Sequence, residues 1–159
     1  MMTTRLIVFL LTALIIVTCG GEEPKSKEES NASFKEKAAA RFGLTVFELD
    51  NGVGPIKENI ELKPVNKELA AMGEKLFIEK CSQCHKLDER YTGPAIRNAS
   101  KDRSPEYILN MILNPEEMTK KHPEAKKMLA MYANQMTFQN VTQDDAFKLL
   151  EYLRSVSNN

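Results

Sequence analysis

"EKCSQCHKLDERYTGP", residues 79–94, holds the chemistry on which the rest of the chain turns. Cys81 and Cys84 lie two residues apart, and His85 follows the second directly. Such a run suits a redox dithiol, half of a zinc site or a haem attachment point. Ahead of it, "VNKELAAMGEKLFIEKC" sets Leu69, Met72, Leu76 and Phe77 at three- and four-residue steps. The spacing predicts an amphipathic helix that ends at the first cysteine. A dithiol oxidoreductase carries its C-x-x-C at the start of a helix that follows a strand, whereas this pair closes a helix and has no strand pattern around it. A structural zinc ion takes four ligands, and the chain offers only Cys81, Cys84, His85 and His122. His85 is awkwardly adjacent to Cys84 for one tetrahedron, and His122, in the charged run "TKKHPEAKK", reads as a solvated surface residue. Covalent haem accounts for every feature: two thiols at this spacing reach two carbons of one porphyrin, and the next residue falls under the iron, where an imidazole is a strong axial ligand.

The N-terminus bears on the same choice. Arg5 precedes the apolar run Leu6–Val17, which is shorter than the roughly 20 residues a spanning helix requires and reads as a signal-peptide core. It runs into Thr18-Cys19-Gly20, which resembles the bacterial lipobox, with Thr18 where Gly, Ala or Ser is more usual. Residues 1–18 are thus expected to be a lipoprotein signal peptide, and Cys19 the lipidated residue. The chain has three cysteines. With Cys19 carrying lipid, Cys81 and Cys84 form a self-contained pair and no structural disulfide is required. The expectation is an exported protein anchored to a bacterial membrane and facing the periplasm.

Across all 159 residues, Lys+Arg and Asp+Glu balance at 22 each, so the basic surface that nucleic acid demands is missing. Residues 19–33 are polar and charged, and read as a flexible tether. Residues 34–64 read as an extension lying across the surface of the main domain. In it Phe34–Phe42 forms a short helix stopped by Gly43, and Val46–Leu49 is strand-like before an Asn51-Gly52 turn. Over residues 65–159 the pattern is helical, with loops around the Cys pair and around Asn134 to Asn140. Ser104-Pro105 opens a helix that Asn114-Pro115 stops. Another covers 123–132, and a last begins at Thr142, with Asp144 and Asp145 favouring its N-terminus. The expected fold is all-α.

"GEKLFIEKCSQCH", "TGPAI" and "QMTFQNVTQDDAFKLLEYLRS" together resemble the class I c-type cytochromes, over about residues 65–155. The resemblance implies one covalent haem c on Cys81 and Cys84, with His85 as an axial ligand. It implies that Pro94 offers its carbonyl to the His85 ring, and that the first and last helices cross where Gly73 and Phe77 meet Leu149, Tyr152 and Leu153. Two departures stand out: Thr137 follows the Met where the family often has Pro, and there is no Trp.

The sixth ligand is chosen among Met111, Met118, Met128, Met131, Met136 and His122. Met111 and Met131 sit in helical stripes and read as core filling, while Met118 and Met128 lie in charged sequence. Met136 stands in a polar loop just before the last helix, the place of the family's axial Met, and a loop can aim one side chain without bending a helix. Arg90, Tyr91 and Arg97 flank the Gly-Pro turn as candidate partners of haem propionates. The resulting expectation is a membrane-tethered electron carrier without catalytic residues, serving a terminal oxidase, a denitrification-type reductase or a quinol-oxidising complex. A haem-based ligand-binding or sensor protein is the alternative. Lys120, Lys121, Lys126 and Lys127 read as a solvated helix face.

Overall fold

The computed structural model describes residues 27–157; the signal core and Cys19 lie outside the described residues. Eight α-helices follow one another without a strand among the described residues: α1 (Lys27–Phe42), α2 (Val46–Asn51), α3 (Lys67–Lys80), α4 (Ala99–Asp102), α5 (Pro105–Leu113), α6 (Pro115–Lys121), α7 (Pro123–Tyr132) and α8 (Gln143–Ser157). None of the described helices is long and apolar enough to cross a membrane.

The crossing of α3 and α8 organises the core. Asn66 caps α3 by accepting from the N–H groups of Glu68 and Leu69, and Thr142 caps α8 by accepting from Asp145. A β-carbon on Gly73 would lie 2.0 Å from the Lys148 carbonyl oxygen and 2.9 Å from Tyr152 Cβ, so only glycine lets the two backbones approach this closely. One turn on, the rings of Phe77 and Tyr152 pack with centroids 5.4 Å apart. Leu109 of α5, with Leu149, Leu150 and Leu153 of α8, completes the buried centre.

Residues before 65 do not simply lie on the surface. α1 begins at Lys27, inside the stretch that reads as a tether, and ends with Gly43 in the left-handed region at φ 67°. Val46–Leu49 is helical, not strand-like. The cause is a capping box: Thr45 Oγ1 accepts from Glu48 N at 3.1 Å and Glu48 Oε2 accepts from Thr45 N at 2.9 Å. Gly52, at φ 81°, ends that helix instead of turning a hairpin. Beyond it, Ile56 enters the main core, while Ala39, Leu44 and Val53 form a second cluster with Tyr107, Met118 and Ala125.

Asn110, fully buried on α5, fixes this segment. Its Oδ1 accepts from Ile56 N at 2.9 Å, and its Nδ2 donates to the carbonyls of Ile56 and Asn51 at 3.0 Å. Glu106 accepts from Ile60 N at 2.5 Å. Those bonds satisfy backbone groups that burial would otherwise strand.

Candidate haem site

Phe77 O accepts from the N–H groups of both Cys81 and Ser82 at 2.9 Å, which caps α3. Cys81 O then accepts from Cys84 N at 3.0 Å and His85 N at 2.9 Å. The chain therefore makes one further tight turn, and the two thiols and the imidazole spring from it together. Cys81 is half-buried and Cys84 exposed. Burial pushes the Cys81 thiol up to about 11, with Lys80 opposing the rise. A thiol so raised stays protonated near neutral pH and is slow to oxidise.

His85 is oriented by the loop that follows. Gly93 N donates to Cys84 O at 2.8 Å, and Ile96 N and Arg97 N donate to Lys86 O and Leu87 O, so residues 91–97 fold back onto residues 84–87. This brings Pro94 O to 3.0 Å from His85 Nδ1. A carbonyl only accepts, so Nδ1 carries the hydrogen and the Nε2 lone pair is left for a metal. Gly93 lies close against the ring, where a β-carbon would stand 2.5 Å from Cε1. Two thiols and an oriented imidazole fit haem c as a donor set. No group of three or more His, Cys, Asp or Glu residues gathers among the described residues as a metal cluster would.

The candidates for the sixth ligand differ in their surroundings. His122 is not a solvated residue: it is 2% exposed, bonds Leu49 O through Nε2 at 3.0 Å and packs edge-on to Tyr107. Met118 is fully buried, and its sulfur accepts from Val53 N at 2.9 Å. Both serve the N-terminal segment. Met111 is partly buried against the same cluster. Met131, expected as core filling, is 51% exposed on α7. Met136 stands half-buried in the helix-free stretch between α7 and α8, where Gln139 Nε2 donates to Thr137 O and Thr137 Oγ1.

Arg97, Arg90 and Tyr91, the candidate propionate partners, each make contacts within the protein. Arg97 forms a two-pronged pair with Asp88, at 2.5 and 2.8 Å, and donates through Nη1 to Val156 O at 3.1 Å. Its guanidinium holds the Asp88 carboxyl below the usual carboxylate range. Arg90 donates to Met131 O at 3.1 Å and lies 4.4 Å over the Tyr132 ring. Tyr91 is exposed, with Lys86 Nζ 5.1 Å from its ring centroid. The four lysines of residues 120–127 are exposed, and Lys120 and Lys121 pair with Glu117.

The model of the family described as Cytochrome c matches residues 70–157. A comparison with curated proteins gave no match. Among solved structures, the chain is similar to a cytochrome c from Rhodothermus marinus, with 40% identity and a TM-score of 0.67 over 70% of this chain and 97% of that one. An engineered form of that cytochrome matches at 39% identity and a TM-score of 0.67 over the same shares of the two chains. A further structure, of the engineered form bound to a carbene intermediate, has the same identity and coverage and a TM-score of 0.64. The chain thus belongs to the cytochrome c family, haem proteins of electron transfer, and its Cys81-Ser-Gln-Cys84-His85 run fits the covalent attachment of one haem c.

Proposed function

We propose that this protein is a membrane-tethered carrier of single electrons between respiratory redox partners, with haem c held by thioethers to Cys81 and Cys84 and by His85 and Met136 on the two faces of the iron. When bound, the haem supplies the one-electron iron couple. The protein's residues anchor it, orient its ligand and limit access to it. The 3.0 Å contact between His85 Nδ1 and Pro94 O carries this reading, because it fixes the tautomer and ring direction that axial ligation requires. A thioether opposite the imidazole raises the potential relative to two imidazoles and leaves no position for substrate, so bond chemistry is not part of the proposal.

The tether rests on Leu6–Val17 and Cys19. A diacylglycerol on Cys19 would confine the carrier to a bacterial membrane on its periplasmic side and raise its effective concentration near membrane oxidoreductases. A quinol-oxidising complex fits as donor, and a terminal oxidase or a denitrification-type reductase as acceptor. Cys19→Ser is expected to move the protein from the membrane to the soluble fraction. Retention on the membrane in that variant contradicts the lipid anchor.

The carrier reading is tested on the holoprotein with carbon monoxide. A carrier closed by Met136 undergoes a reversible one-electron titration, and its ferrous form takes up little of the gas. Rapid stoichiometric binding by the wild type would instead support a ligand-binding protein.

A further inference from the structure

Arg90 stands in the loop after the haem-binding turn, and Met131 and Tyr132 close α7, the helix before Met136. The Met131 carbonyl is one of the last four of its helix and has no intrahelical partner. α7 has no basic residue in its own last turn, and it ends at Ala133, which sits in the left-handed region at φ 50°. That conformation strains an alanine, whose β-carbon crowds the following carbonyl. The helix end is thus intrinsically weak, and Met136 hangs from it three residues on. Arg90 supplies from a distant segment what α7 lacks: a donor to Met131 O at 3.1 Å, and a positive charge at the helix C-terminus. Its guanidinium plane also covers the Tyr132 ring at 4.4 Å. One side chain therefore ties the segment that orients His85 to the root of the loop that carries Met136.

We infer that Arg90 is a positioning residue, a clasp joining the two ligand-bearing segments and holding the Met136 loop closed against exogenous ligands. The inference rests on Met136 as the sixth ligand. Without the clasp the end of α7 frays, the loop swings more often, and small donors reach the iron in place of the thioether. Lysine in its place retains the charge and loses the delocalised guanidinium over the Tyr132 ring.

Imidazole binding to the ferric holoprotein tests this, read from the loss of the weak long-wavelength charge-transfer band that marks thioether–iron ligation. Arg90→Ala is expected to bind imidazole about five- to tenfold more tightly than wild type, and Arg90→Lys and Tyr132→Leu about two- to threefold, all measured well below their thermal midpoints. A purely structural role lowers the midpoint and leaves that affinity alone. A band present in wild type and absent in Met136→Ala, with imidazole affinity in Arg90→Ala within twofold of wild type, overturns the clasp but not the ligand. A band that survives in Met136→Ala overturns the ligand assignment and the clasp with it.

Discussion

A β-carbon added to Gly93 would stand 2.5 Å from Cε1 and 2.9 Å from Nδ1 of His85. The glycine is therefore demanded by space beside the imidazole. Gly93→Ala must push the ring away from Pro94 O, which now lies 3.0 Å from Nδ1. Both cysteines are untouched, so the variant is expected to keep its covalent haem while losing strength at the proximal ligand. A larger high-spin fraction in the ferric spectrum and faster carbon monoxide binding are the expected readouts; a spectrum like the wild type's would show that the ring has room to yield.

At Gly73 the obstacle is backbone. The Lys148 carbonyl cannot move aside as a flexible side chain would, since it belongs to the α8 ladder. Gly73→Ala gains some helix propensity, worth about 1 kcal/mol, but overpacking of this kind costs roughly 1–3 kcal/mol and more where nothing can shift. The net expectation is a lower midpoint in denaturant with the slope unchanged, and a gain in stability would contradict the crossing.

Asn110→Leu keeps the branching of the side chain, with methyl groups in place of the amide oxygen and nitrogen, and removes every bond that Asn110 makes to Asn51, Gly52 and Ile56. Each buried group left unpaired costs about 1–3 kcal/mol. The loss should fall on residues 44–60 first. Limited proteolysis is expected to cut there before it reaches α3 or α8. Cleavage that begins elsewhere would separate Asn110 from the docking of this segment.

His122 gives the protein an acid limit. Burial lowers its pKa from the ordinary 6.5, although the bond to Leu49 O and the Glu124 charge oppose the shift and Arg103 adds to it. Above about pH 6.5 the imidazole is neutral in folded and unfolded chains alike, and contributes no pH dependence. As pH falls through 6.5 the unfolded chain takes up a proton that the folded one refuses. Stability then drops, by at most roughly 1.4 kcal/mol per pH unit, until the folded pKa is reached. His122→Gln removes this titration. The stability difference between the two proteins should be flat above pH 7 and shift against the wild type below it. The depressed carboxyls of Asp88, Glu117 and Asp145 act at lower pH and are common to both.

Local rules carried much of the reading. The bounds of α7 and the caps at Ser104 and Thr142 follow from short-range signals, while the close approach at Gly73 comes through the family resemblance. Position 45 shows a signal that was present and outweighed: Thr45-x-x-Glu48 is a capping box, but the β-favouring Val46-Phe47 beside it suggests a strand. Pro115 ends α5 and also opens α6, since proline suits the first position of a helix. Burial of His122 and Met118 was not legible, because the groups that receive them lie about 65 to 73 residues away, in a segment with no periodic pattern. Arg90 and Arg97 show the same limit. Their charge is visible in sequence, but a partner such as Met131 O or Val156 O is backbone brought near only by the fold.

The central claim is a haem c closed by His85 on one face and Met136 on the other. The ferric holoprotein's long-wavelength charge-transfer band, compared among wild type, Met136→Ala and Met131→Ala, tests it most directly. A band is expected in wild type and Met131→Ala and none in Met136→Ala. A band that persists without Met136, or is missing from the wild type, would contradict it.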